Sequence, residues 1–147
     1  MKNNIIILLC FLTFSSCFSQ QKITWDDLAK VKFVEKYYQE YDESYLVPEF
    51  SDSVKALDGK TVNISGYFLH ISPKDKLYML SKGPMSACFF CGVGGPETAI
   101  ELQFSERQNL RTDDIVTVTG TLKLNVDDVE HFNYILTDCE IKLIETD

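Results

Sequence analysis

Five segments of alternating apolar and polar residues after Leu57, two of them carrying a glycine at mid-strand, follow a three-and-four periodic segment that ends before Pro48. Together they predict a mainly β fold with an N-terminal helix, in which five strands close into an OB-like barrel. The mid-strand glycines, Gly66 and Gly120, carry most of that reading. A strand that must pair with two neighbours in a small barrel bends sharply, and glycine removes the side chain that would block the bend.

The N-terminal residues 1–19 read as a signal peptide: a short head with Lys2, an apolar run from Ile5 to about Phe14, and small residues at the end. The run falls short of the ~20 residues that span a bilayer, so no transmembrane helix is expected in the mature chain. "FSSC" reads alternatively as a lipobox ending at Cys17, with residues 1–16 removed and a lipid anchor on Cys17. Either route places the protein as exported, in the periplasm or associated with the outer membrane. Loss of Lys2 takes the formal charge from −8 to −9. Such a chain repels phosphate backbones, and nucleic acid is not an expected partner.

Residues 20–50 are expected to form the helical segment. Trp25, Leu28, Val31, Val34, Tyr37, Tyr38 and Tyr41 come close to one helical stripe, Thr24 is placed to cap it, and Asp26 and Asp27 fall in the first turn. Residues 51–147 are assigned to the barrel. "TVNISGYFLHI" is its first strand after the Asp58-Gly59 turn, "KLYMLSK" the second, "ETAIELQF" the third, "DDIVTVTGTLKLN" the fourth and "FNYILTDCEIKLI" the fifth. In such a barrel the first and fourth strands are neighbours.

The candidate site is the loop "MSACFFCGVGGPET" between the second and third strands. Cys88 and Cys91 stand at the spacing of a zinc knuckle, and Gly92 lets backbone amides turn toward sulfur. A complete metal site needs more donors, and the soft ligands left are Cys139, His131 and His70. The metal reading is therefore zinc on Cys88, Cys91, Cys139 and His131. A disulfide competes for the same sulfurs, either within the loop or from the loop to Cys139, which would close about 50 residues and contribute several kcal/mol. Catalytic dithiol chemistry would need a thiolate lowered by a helix N-terminus or a cation, and "GVGGPET" builds a turn instead. Asp127, Asp128 and Glu130 gather at an acidic hairpin tip that could hold a hard cation or simply be solvated.

"WDDL", "LDGKTVNISGY" and the "ACFFC" loop with its following proline resemble a family of exported bacterial envelope proteins that pair L-x-G-K-x-V-x-I-x-G-[FY] with a cysteine-containing loop. The resemblance covers roughly residues 25 to 104. It implies a small OB-like β-barrel in the envelope, in some members as a lipoprotein encoded beside transporters. The chain departs from the pattern where relatives follow the cysteine with a histidine and a proline run; here Phe89, Phe90, Cys91 and "GVGGP" stand instead.

The functional expectation is an exported, non-enzymatic binding or accessory module for an envelope protein or small ligand, with the cysteine loop as its rim. A thiol-dependent or metal-assisted enzyme, with Glu97 or His70 as acid or base, is the alternative from another class. A disulfide-stapled scaffold that oligomerises through its tyrosines is the third.

Overall fold

The computed structural model describes residues 20–72, 74 and 77–145; the segment expected to be a signal peptide or lipobox, Cys17 included, lies outside them. Within that range β1 (Gln21–Lys22) leads into helical turn α1 (Trp25–Leu28), then the hairpin β2 (Val31–Tyr38) and β3 (Glu43–Phe50), then helical turn α2 (Asp52–Lys55). The barrel strands follow as β4 (Thr61–Ser72), β5 (Leu77–Ser81), β6 (Ala99–Leu102), β7 (Ile115–Leu124) and β8 (Tyr134–Glu145). Among the described residues, no helix is long and apolar enough to cross a membrane.

The five strands close in the order β4-β5-β6-β8-β7 and back to β4. All neighbours are antiparallel except β6 and β8, which run parallel. The first and fourth barrel strands therefore pair, from Thr61 opposite Thr121 to Tyr67 opposite Ile115. Strand β4 serves two partners: its first half pairs with β7 and its second half, from Tyr67 onward, with β5. The changeover falls at Gly66. A Cβ there would lie 2.5 Å from the Ser81 carbonyl oxygen, 3.0 Å from the Trp25 ring and 3.1 Å from the Leu80 side chain, so a neighbouring backbone, an indole and a leucine close on a position that admits hydrogen only.

Gly120 meets the same constraint from the other side. Thr119 faces Glu140 and Thr121 faces Thr137, which leaves Asp138 and Cys139 as a bulge opposite a single residue. Asp138 takes the left-handed conformation, φ 52°, and a Cβ on Gly120 would lie 2.8 Å from the Thr137 carbonyl oxygen.

The inward side chains of the strands, among them Val62, Ile64, Phe68, Tyr78, Leu80, Ile100, Val118, Leu122 and Leu136, fill the barrel. Leu28, Phe50, Val54 and Leu57 join this core from α1, β3, α2 and the turn after α2. Tyr134 ties the two together: its ring packs edge-on against Phe50, and its buried hydroxyl donates to the Leu28 carbonyl at 2.6 Å. The Trp25 indole donates to the Ser65 carbonyl at 2.9 Å, which fixes α1 across the bend of β4.

The long N-terminal helix is corrected to one turn and a hairpin. Thr24 does cap α1 in a capping box with Asp27, but the helix ends after Leu28. From Val31 the chain pairs residue by residue with β3, Val31 opposite Phe50 through Tyr38 opposite Glu43. The segment is rich in valine and tyrosine, which favour a pleated surface, and its apolar residues fit a two-residue period nearly as well as a helical one. Pro48 is no obstacle in a two-stranded ribbon, where one side of each strand bonds nothing. The tyrosines gather at the hairpin's far end, where Tyr38, Tyr41 and Tyr45 pack ring against ring at 5.8 to 6.4 Å.

Gly66→Ala should cost about 3 kcal/mol, because backbone and not a flexible side chain opposes the added methyl. Gly59→Ala, at φ 71° with nothing within 4 Å of the added carbon, should cost about 1 kcal/mol from backbone conformation alone. Urea unfolding of both variants checks the difference; equal losses would mean that packing at Gly66 does not hold the bend.

Candidate functional site

A second, smaller core lies outside the barrel. Leu69 of β4, Met79 of β5 and Ala99 of β6 point outward, and the loop between β5 and β6 folds back over them with Cys88 at its centre. Met85, Phe89 and Phe132 pack around that cluster. The loop is pinned near its start, where the Met85 amide donates to the Asp113 carboxylate at 2.7 Å. This cover explains why all four residues of β6 are buried, Glu101 included.

Cys88 and Cys91 are brought together within this loop. Residues Phe89–Cys91 form a single 3-10 turn, with the Cys91 amide donating to the Cys88 carbonyl at 3.0 Å, and Gly92 ends it at φ 76°. The two sulfurs are 3.7 Å apart, as thiols in hydrogen-bond contact, and the Cys91 thiol also donates to the Met85 carbonyl at 3.0 Å. Cys88 is buried and Cys91 exposed. The hydrogen bond with Cys88 is the main cause pushing the Cys91 thiol above its ordinary value. That is the opposite of the lowered thiolate a catalytic dithiol needs.

Cys139 does not join them. It sits in the β8 bulge under Gly120, donates to the Leu136 carbonyl at 3.1 Å and packs against the main core. Burial pushes its thiol up to about 12. His131 is engaged elsewhere too, with Nδ1 3.0 Å from both oxygens of Glu101. Among the described residues no group of three or more His, Cys, Asp or Glu side chains is arranged to hold a metal ion. The loop thus offers two sulfur donors where a structural zinc needs four ligands, and the four residues named for zinc do not fit that ion together. His70 contacts the Leu110 carbonyl through Nε2 at 2.7 Å and meets Phe68 and Tyr78 edge-on, while the Glu97 carboxylate accepts from the Gly95 amide.

Two residues that sequence reasoning passed over organise the neighbouring loop between β7 and β8. Glu101, 3% exposed, accepts from the Phe132 amide at 3.2 Å and from the Gln103 side chain at 2.9 Å, besides facing His131. Asn125, also buried, directs its side-chain amide to the carbonyls of Asp128, His131 and Phe132 and accepts the Asp128 amide at 3.0 Å. The acidic tip is part of this turn, since the Asp128 carboxylate accepts the Glu130 amide at 3.0 Å.

The two loops and the β2–β3 hairpin enclose a groove of about 330 Å³. Leu46 and Val47 line it from the hairpin, Phe89, Phe90 and Pro96 from the cysteine loop, and Val126, Val129 and Phe132 from the β7–β8 loop, with Asp127, Asp128, His131 and Asn133 among its polar groups. Leu46, Phe90 and Val126 are 59%, 57% and 46% exposed, an apolar patch that the fold itself does not bury. Phe90 packs against Phe132 at 5.8 Å between ring centres, so the two loops meet along this wall.

No protein-family model matches the chain, and no curated protein matches it. Among solved structures, a DUF3299 family protein from Pseudomonas aeruginosa PAO1 superposes with a TM-score of 0.57 at 13% identity, over 88% of this chain and 99% of that one. At that identity the likeness is one of fold.

Glu101→Gln keeps the shape but weakens the charge-assisted bonds to Phe132 and His131. It should cost about 1–2 kcal/mol and speed hydrogen exchange of the Phe132 amide; unchanged exchange would sever Glu101 from the loop's order. The folded state holds Cys139 protonated through a pH range in which the unfolded thiol, at its ordinary 9.0, ionises. That stabilisation is complete below about pH 9 and is lost as pH rises toward about 12. Denaturant midpoints should therefore fall across this window, and Cys139→Ala should flatten part of the fall.

Proposed function

We propose that this chain is an exported, non-enzymatic binding module of the cell envelope, whose groove holds an apolar ligand segment bearing a cationic group. The exposed apolar side chains of Leu46, Phe90 and Val126, converging on one groove from three separate elements, carry the reading. A volume of about 330 Å³ suits a small ligand or a peptide side chain rather than a flat protein face. Asp127 and Asp128 line the same groove in a chain of formal charge −8, which favours a cation at the polar end. Export is supported by the apolar run from Ile5 to about Phe14 behind Lys2. The raised Cys91 thiol favours binding over thiol catalysis.

Two probes of equal length and opposite charge, 4-phenylbutylamine and 4-phenylbutanoate, test this by NMR titration. The amine should shift the resonances of Leu46, Phe90, Val126 and Phe132 and saturate. It should bind about fivefold tighter than the carboxylate, the equivalent of about 1 kcal/mol of screened attraction. Asp127→Asn should narrow the ratio. Equal binding of the two probes would remove the cation from the proposal, and no shifts from either would remove the groove.

A further inference from the structure

We propose that Cys88 and Cys91 close reversibly to a disulfide by exchange with an external disulfide, entering through Cys91, and that closure stiffens the phenylalanine wall of the groove. The chemistry stands by itself; its effect on a ligand rests on the groove being a binding site.

The geometry supplies the two roles that exchange requires. Cys91 is exposed, so an incoming disulfide can reach it. Cys88 is 1% exposed, held among Leu69, Met79 and Ala99, with its sulfur 3.7 Å from that of Cys91. An external molecule is screened from Cys88, while Cys91 is not. The turn that joins them is already closed by the hydrogen bond from the Cys91 amide to the Cys88 carbonyl, so bringing the sulfurs to the ~2.05 Å of a bond asks for side-chain rotation more than for backbone movement. Cys139, in the β8 bulge and bonded to the Leu136 carbonyl, is not a rival partner.

The electron count closes with an external disulfide as oxidant. The Cys91 thiolate attacks one sulfur of the external bond, the other sulfur leaves as a thiolate, and a mixed disulfide on Cys91 results. The Cys88 thiolate then attacks the Cys91 sulfur, expels the second external sulfur, and the Cys88–Cys91 bond forms. Two protons from the protein thiols end on two external thiols; the protein loses two electrons and the oxidant gains them. The Cys91 thiol is pushed up chiefly by its hydrogen bond with Cys88, so the attacking thiolate is scarce and exchange is slow.

Phe89 and Phe90 are the two residues between the cysteines in sequence; their rings meet at 5.3 Å in a tilted pair, with Phe90 reaching Phe132. A bond across the turn restricts both rings' backbone at once.

The test is a titration of the mature chain in reduced and oxidised glutathione, quenched by alkylation and read by mass. The expected result is a single step in which two thiols vanish together while one, Cys139, remains alkylatable after unfolding. Cys88→Ala should instead trap one glutathione on Cys91, and Cys91→Ala should neither close nor trap. Amides of Cys91 and Gly92 should exchange at least about tenfold more slowly in the oxidised chain. Three alkylatable thiols at the most oxidising ratio, a glutathione adduct that persists on the wild type, or a bond that includes Cys139 would overturn the exchange. Unchanged amide exchange would overturn the stiffening. Phenylbutylamine binding is read separately, so an empty groove and a silent dithiol give different outcomes.

Discussion

The closeness of β4 to its neighbours at Gly66 is the constraint on which the remaining architecture depends. One strand can serve β7 with its first half and β5 with its second only if it bends between them, and the bend presses the Ser81 carbonyl and the Trp25 ring onto the same carbon. Trp25 can lie there because its indole finds the Ser65 carbonyl, and α1 is thereby held across the barrel. Leu28, carried by α1, enters the core and accepts the Tyr134 hydroxyl from the last strand. Helical turn α1 and strand β8 are joined through the glycine in between.

A barrel closed in this way has an outer as well as an inner face, and the two halves of β4 treat that face differently. Where β4 meets β7, Asn63 bonds Thr119 and Ser65 bonds Thr117, polar pairs suited to water. Where it meets β5, and on β6 beyond, the outward residues are Leu69, Met79 and Ala99, which need cover. The cysteine loop supplies it, and the groove is the seam where that cover, the β7–β8 loop and the hairpin fail to merge. The site is thus a by-product of a second core too small to bury its own edge.

The barrel was legible because a two-residue period and a mid-strand glycine are both local signals, and they fixed Gly66, Gly120 and all five strands. The hairpin was not, because Val31, Val34, Tyr38 and Tyr41 follow a helical stripe while Val31, Phe33 and Tyr37 follow a two-residue period, and what decides between them is a partner strand that no window of sequence shows. Cys88 and Cys91 were legible as a pair for the same local reason. Cys139 and His131 were assigned to them by residue type alone, while their true neighbours, Gly120 and Glu101, were set by strand register. Glu101, between Ile100 and Leu102, has the pattern of an ordinary solvent-facing acid. Its burial follows from a loop folding over it, which is tertiary information.

The order of the two sulfurs carries one more consequence. A loop anchored near its start, by Met85 on Asp113, delivers its first cysteine into the outer core and its second to the surface. In a dithiol at a helix start the dipole would lower a thiol and favour the open state. Here the three-residue turn Phe89–Cys91 has no such dipole, and the Cys91 thiol spends its hydrogen bonds on Cys88 and the Met85 carbonyl. Both bonds vanish on closure, but Cys88 remains where the outer core holds it, because a disulfide sulfur is as apolar as the thiol it replaces. Closure therefore leaves the cover over Leu69 and Met79 intact and alters only its rim, the part of the loop that faces the groove.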